Sequence, residues 1–173
     1  MTLTEILVGS IMFAIFAIAI STILSPMVLS FMRANDFAEY NAILDSVGNQ
    51  ISSDLVKASA APTDATALQV PIGLIPVNNA FRIPIQTSDD IEYTVHAVNG
   101  TLLRNGNEVF SEGFYKGKEV DFTVALHPLV PNSYIIVVTI RVPEGATNRF
   151  GLSGADLERE FVVRPVLLIN DTP

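Results

Sequence analysis

The sequence predicts an α+β protein: one long N-terminal α-helix, apolar in its first half, whose second half packs on an antiparallel β-sheet domain. Three observations carry that expectation. Residues 6 to 32 hold no charged side chain. From Phe37 to Leu55, apolar residues recur at steps of three and four, the mark of a helix with one buried face. From about residue 67 the period falls to two, with turn residues between short apolar runs. Three segments follow: 1–32, a hydrophobic transmembrane or filament-core helix; 33–61, the amphipathic half of the same helix; and 67–173, an antiparallel β domain.

At 173 residues the chain accommodates one compact domain and one extended element. The formal net charge of −8 argues against dedicated nucleic-acid binding, which rests on neutralising phosphates with Lys and Arg. The chain contains no cysteine, so the β domain must hold by core packing without a disulfide.

At about 1.5 Å per residue, residues 1 to 32 span roughly 48 Å as a helix, more than the ~30 Å hydrocarbon core of a bilayer. A secretory signal peptide needs a basic leading region and a shorter apolar core, and neither is present. Glu5 is the anomaly. A carboxylate in hydrocarbon costs on the order of 2.5 to 3.5 kcal/mol and ordinarily has a named partner. No Lys, Arg or His stands within helical reach, and the nearest positive charge is the α-amino group of Met1. With Arg33 as the nearest basic flank, the positive-inside rule would turn the body inward. That conflict disappears if a basic leader precedes Met1 and is removed.

The opening stretch "MTLTEILVG" resembles the mature N-terminus of type IV pilins and pseudopilins, with Met1, Thr2, Leu3 and Glu5 in register and Thr4 at the variable place. The resemblance implies cleavage by a prepilin peptidase just before Met1, N-methylation of Met1, and residence in the cytoplasmic membrane before assembly. It further implies polymerisation with copies of itself, driven by inner-membrane pilus assembly machinery, into an extracellular filament (a fimbrium). Glu5 would attract the Met1 amine of the neighbouring subunit and set axial register. Adhesion or motility would belong to the whole fibre. Two other roles stay open: a minor or tip pseudopilin of a secretion or DNA-uptake system, and a membrane-anchored binding domain that never polymerises.

Pro26 lacks a backbone donor and crowds the carbonyl of Thr22, so a kink or local loss of helix is expected over residues 21 to 26. Ser21, Thr22 and Ser25 can bond the freed backbone groups. Unwinding before such a proline, which lets a fibre stretch, is what the resemblance implies; a simple kink is the alternative. Past Arg33, Phe37, Tyr40, Leu44, Val47, Ile51 and Leu55 form the apolar face, while Asp36, Glu39, Asp45, Asn49, Ser53 and Lys57 fall elsewhere. Pro62 and Thr63 close the helix near residue 60. Phe13, Phe16, Phe31, Phe37 and Tyr40 read as packing residues.

In the body, "ALQVPIGLIPV" and "NAFRIPIQ" read as strands broken by prolines, suited to sheet edges. "IEYTV" and "TLLR" flank an Asn99-Gly100 turn, and Asn105-Gly106 makes a second. "EVDFTVALHP", "SYIIVVTIRV" and "EFVVRPVLLI" supply the later strands, with a glycine-containing loop over 143–159. No further helix is expected, and a sheet laid on the outer half of the long helix is the natural layering.

No nucleophile elbow, phosphate loop or metalloprotease motif occurs, so the chain reads as structural rather than enzymatic, and no cofactor is implied. His96 and His127 lack metal-ligand spacing. Asp89 and Asp90, and Asp156, Glu158 and Glu160, lack the spacing of a calcium loop and read as solvated acidic loops. Asn99-Gly-Thr101 and Asn170-Asp-Thr172 fit the N-glycosylation sequon, the first being better explained as a hairpin turn.

Overall fold

The structure is a computed structural model that describes residues 2–64, 80–86, 89–141 and 157–166. Helix α1 runs Leu3–Leu55. It stops short of the expected boundary near residue 60 because its last turn tightens. The Lys57 and Ala58 N–H groups donate three residues back, to Asp54 and Leu55 carbonyls at 3.0 and 3.1 Å. Ser59 then donates its N–H to the Pro84 carbonyl at 2.9 Å, turning the chain into the sheet region. Two compact units result, Met1–Glu39 and Tyr40–Pro173.

Within the second unit the strands form two antiparallel sheets where the sequence suggested one. The first has β1 (Thr63–Asp64), β2 (Ala80–Ile83), β3 (Ile91–Val95), β4 (Leu102–Arg104) and β5 (Asn107–Glu108) in chain order. The second has β6 (Glu119–Leu126), β7 (Tyr134–Arg141) and β8 (Leu157–Val163). Between them lies a short helix α2 (Glu112–Tyr115), which the sequence reading did not anticipate. One turn of helix is too short for a 3.6-residue period to register. Lys116 and Gly117 follow it with φ of 50° and 73°, and Tyr115 sends its hydroxyl back to accept the Leu102 N–H at 3.2 Å.

Asn105-Gly106 is the two-residue turn expected of it, with φ of 52° and 77° between β4 and β5. The Asn99-Gly100 turn is wider than expected. His96 N–H closes it on the Thr101 carbonyl at 2.8 Å, leaving Ala97 to Gly100 as the loop. The "ALQVPIGLIPV" segment lies outside the described residues, as does most of the 143–159 loop. β8 begins at Leu157, earlier than the sequence suggested, so Glu158, Arg159 and Glu160 belong to a strand.

Alternation drives the core. Val120, Phe122 and Val124 pair with Ile140, Val138 and Ile136, and all six are buried. Against them pack Ile43, Leu44, Val47, Ile51 and Leu55 of α1. Phe81 stacks on Tyr93 at 5.6 Å and meets the Phe122 ring edge at 5.5 Å, joining the two sheets. Phe37, assigned to this face by its spacing, is instead 54% exposed; the packed stripe begins at half-buried Tyr40, under the ammonium of Lys118.

Gly48 explains how closely helix and second sheet approach. A Cβ there would sit 2.0 Å from Phe161 Cε2 of β8. Alanine favours helix by roughly 1 kcal/mol over glycine. Displacing a packed ring costs about 1–3 kcal/mol, so the collision wins. Gly48→Ala should therefore lower stability by about 1 kcal/mol in denaturant titration. In a Phe161→Ala background the same change should stabilise.

Candidate functional site

The first half of α1 is the feature that asks for a function. Every described residue from Thr2 to Asn35 is exposed. Leu3 and Phe13 are 83% and 75% exposed, and Ile, Met and Phe side chains cover all sides of the cylinder. An apolar surface of this kind is costly in water and favours an apolar covering such as lipid. The helix is long and apolar enough to cross a membrane.

Glu5 is less stranded than the sequence reading made it. Its Oε2 accepts the Thr2 N–H at 2.9 Å, while its own N–H donates to the Thr2 carbonyl at 3.0 Å. This is half of a capping box, and Thr2-x-x-Glu5 is its signature in the sequence. The carboxylate also faces the positive end of the helix dipole. The cap satisfies one lone pair, and among the described residues no basic side chain stands near the charge: Arg33 lies about 42 Å along the axis at 1.5 Å per residue. Met1 lies outside the described residues.

Helix α1 continues through Pro26, without the local loss of helix that is one of the two expectations, beside a kink, for residues 21 to 26. Thr22 directs its hydroxyl to the Ala19 carbonyl at 2.8 Å, one turn back. The Thr22 carbonyl still cannot receive an N–H from Pro26, so this turn lacks one bond of the helical ladder.

The other chemically loaded site is Asp54, which sequence reasoning missed. The residue is 3% exposed and stands on the buried face among Ile51 and Leu55. Oδ2 accepts from the Tyr93 hydroxyl and from Arg104 Nε, each at 2.7 Å, and Oδ1 from Lys57 Nζ at 3.2 Å. Gln50 Nε2 donates to the Tyr93 oxygen at 3.4 Å. Burial by itself raises the Asp54 pKa, but the bonds from Arg104, Tyr93 and Lys57 outweigh it and hold the group below its ordinary value. Burial raises the Tyr93 phenol well above its ordinary range, and the Asp54 charge adds to that. Bonding to Asp54 keeps Arg104 more firmly protonated. A readable signal existed: Asp54 lies seven residues after Val47 and three after Ile51, within the apolar stripe. Asp45, by contrast, pairs with Arg159 of β8, which also reaches Asn41 at 3.3 Å. Both ion pairs fasten helix to sheet, a positioning role rather than a reactive one.

The remaining candidates do not converge. His96 precedes the turn at Gly100, whose carbonyl accepts the Val120 N–H at the start of β6, and His127 follows the far end of that strand. At ~3.3 Å per residue, β6 keeps the imidazoles too far apart to share an ion. Asp89 and Asp90 rim an open depression with Arg82, Glu92, Asn105 and Gly106. Glu158 and Glu160 lie exposed on one face of β8 rather than in a loop, while Asp156 lies outside the described residues. Thr101 of the first sequon is 1% exposed and donates its hydroxyl to Asn99 Oδ1 at 3.0 Å. The second sequon, at Asn170, lies outside the described residues. Comparison with protein-family models, curated proteins and solved structures finds no match, so the likeness to pilins stands on the chain's own first residues and on its architecture.

Proposed function

We propose that this chain is a structural subunit of a type IV pilus-like extracellular filament, anchored in the cytoplasmic membrane by its apolar half-helix before assembly. The observation that carries this reading is a helix uncharged and exposed on every side from Ile6 to Met32, with one carboxylate at its head. A single helix in lipid and a bundle of such helices in a fibre are the two environments that cover this surface completely. A long helix followed by a sheet domain is compatible with a pilin fold. Copies of the chain are the principal partner, with a prepilin peptidase and inner-membrane assembly proteins acting on it beforehand.

In this mechanism the Met1 amine of one subunit is the counter-ion for Glu5 of its neighbour, and the pair sets axial register. Lipid tails are as apolar as the helix, so apolar contact alone gives little preference for sister helices within the bilayer. The charge pair supplies the missing specificity. Outside the membrane, burial of the same apolar surface holds the fibre together.

Glu5→Gln tests the pairing, because glutamine keeps an oxygen for the Thr2 cap and loses the charge. Membrane levels of the variant should match wild type, while filaments sheared from cells and counted by negative-stain and immunogold microscopy should fall about tenfold or more. Glu5→Ala should behave alike. Wild-type filament yield from Glu5→Gln would overturn the pairing. Wild-type chain recovered solely as membrane-embedded monomer would replace the filament subunit with a tethered domain, and gold confined to fibre ends would make it a tip subunit.

A further inference from the structure

Both histidines of the chain perform the same task. His96 follows β3 and His127 follows β6, each opening a loop whose far end its own N–H grips. His96 N–H donates to the Thr101 carbonyl and His127 N–H to the Ser133 carbonyl, both at 2.8 Å. The rings then reach forward. His96 Nδ1 accepts the Val98 N–H at 3.3 Å, and His127 Nδ1 accepts the Leu129 and Val130 N–H groups, each at 3.1 Å. This is the arrangement of an Asx turn with imidazole in place of the carboxamide. A ring nitrogen can receive N–H donors only while it keeps its lone pair, so this contact requires the ring that carries its proton on Nε2 alone.

The residues so held are apolar and face solvent: Val98 and Leu129 are each 85% exposed, and Val130 39%. Side chains this exposed add little packing to their loops: the backbone bonds at His96 and His127 close each loop, and the ring contacts hold its tip. We propose that the two imidazoles are neutral-state clamps, holding the apolar tips at Val98 and at Leu129–Val130 near neutral pH and releasing them on acidification while the core stays folded.

The chemistry is a competition for one lone pair. An imidazolium carries two donors and no acceptor, so protonation removes the clamp and sets N–H against N–H. Imidazoles ordinarily change charge between about pH 5 and 8. Each clamp therefore holds while its ring is neutral and opens when the ring gains a proton. Glu119, Asp121 and Arg141 face His96 across a cavity of about 450 Å³, the last two as an ion pair at 2.7 Å. Around His127, the loop through Ser133 has no other ionisable side chain. Tyr134 follows it, kept neutral by burial, and Arg164 comes just past the Tyr134–Val163 pair on β8.

Amide hydrogen exchange on the full chain in detergent micelles tests this, at about pH 7.5 and about pH 5, on either side of the imidazole range. After correction for intrinsic rates, Val98, Leu129 and Val130 should lose protection roughly fivefold at the lower pH, the size of one net hydrogen bond. Phe122 and Val138 in the core should not change. His127→Asn offers an oxygen that accepts the same N–H groups and does not titrate. Leu129 and Val130 should then stay protected at both pH values while Val98 still responds, and His96→Asn should show the reverse. Tips unprotected at both pH values in a variant, with wild type responding, would also identify the ring as the clamp. Unchanged wild-type protection on acidification, or a response that survives the matching asparagine, overturns the proposal.

Discussion

Asp54→Asn should lower the stability of the folded body by about 3 kcal/mol, at the low end of what breaking a buried ion pair costs. The low end applies because Arg104 retains 39% side-chain exposure and can turn to water, whereas the Asp54 side chain is 4% exposed. The amide oxygen of asparagine can still take the Tyr93 hydroxyl, so the loss isolates the charge. The reciprocal Arg104→Gln leaves a buried carboxylate held by the Tyr93 hydroxyl and the exposed Lys57, and should cost as much or more. Denaturant titration of both single variants and the double variant gives the coupling; a value near zero would mean the pair contributes nothing to folding.

The sign of the pH dependence follows from the same contacts. The folded-state pKa of Asp54 lies below its ordinary value of 3.8. A group shifted downward lends stability that is fully present above the unfolded value and drains away as pH falls through the folded one. Unfolding of the wild type should therefore become easier below about pH 4, and part of that acid sensitivity should vanish in Asp54→Asn.

Gly100→Ala should be of similar size, about 3 kcal/mol, by two additive causes. Gly100 has φ of +61°, which costs a non-glycine residue about 1–2 kcal/mol. Its new Cβ would also stand 2.8 Å from Glu119 Cα and 2.7 Å from Glu119 Cβ. Unlike the ring facing Gly48, the obstacle here is backbone, so the strand start must move. That movement strains the Val120 N–H bond to the Gly100 carbonyl, a 2.8 Å contact joining the turn of the first sheet to the second. A variant as stable as wild type would mean that this crossing point is soft.

What could be read from the chain depended on the range of the interaction. The helix, the Asn105-Gly106 turn and the β6 and β7 strands were legible because their signals lie within a few residues of one another. The capping role of Glu5 was legible as well, in Thr2-x-x-Glu5, and was overlooked because the carboxylate was weighed as a membrane charge alone. The division into two sheets was not legible, because alternation marks which face of a strand is buried and says nothing of which sheet it joins. Phe37 shows the limit from the other side: its spacing is right for the buried face, but spacing alone does not locate where the core begins.

By itself, then, the sequence determined an uncharged, membrane-length helix headed by a lone carboxylate, joined to a strand-rich acidic body. Those properties are set by composition and by periods of two and 3.6, which tertiary context does not alter. Only the folded structure decided that Asp54 is an ion-pair anchor, that Gly48 and Gly100 are points of closest approach, and that both histidines clamp turns. The anchors and close approaches join positions dozens of residues apart, and the clamps depend on the direction in which a loop folds back; energies of that kind exist only once the chain has closed on itself.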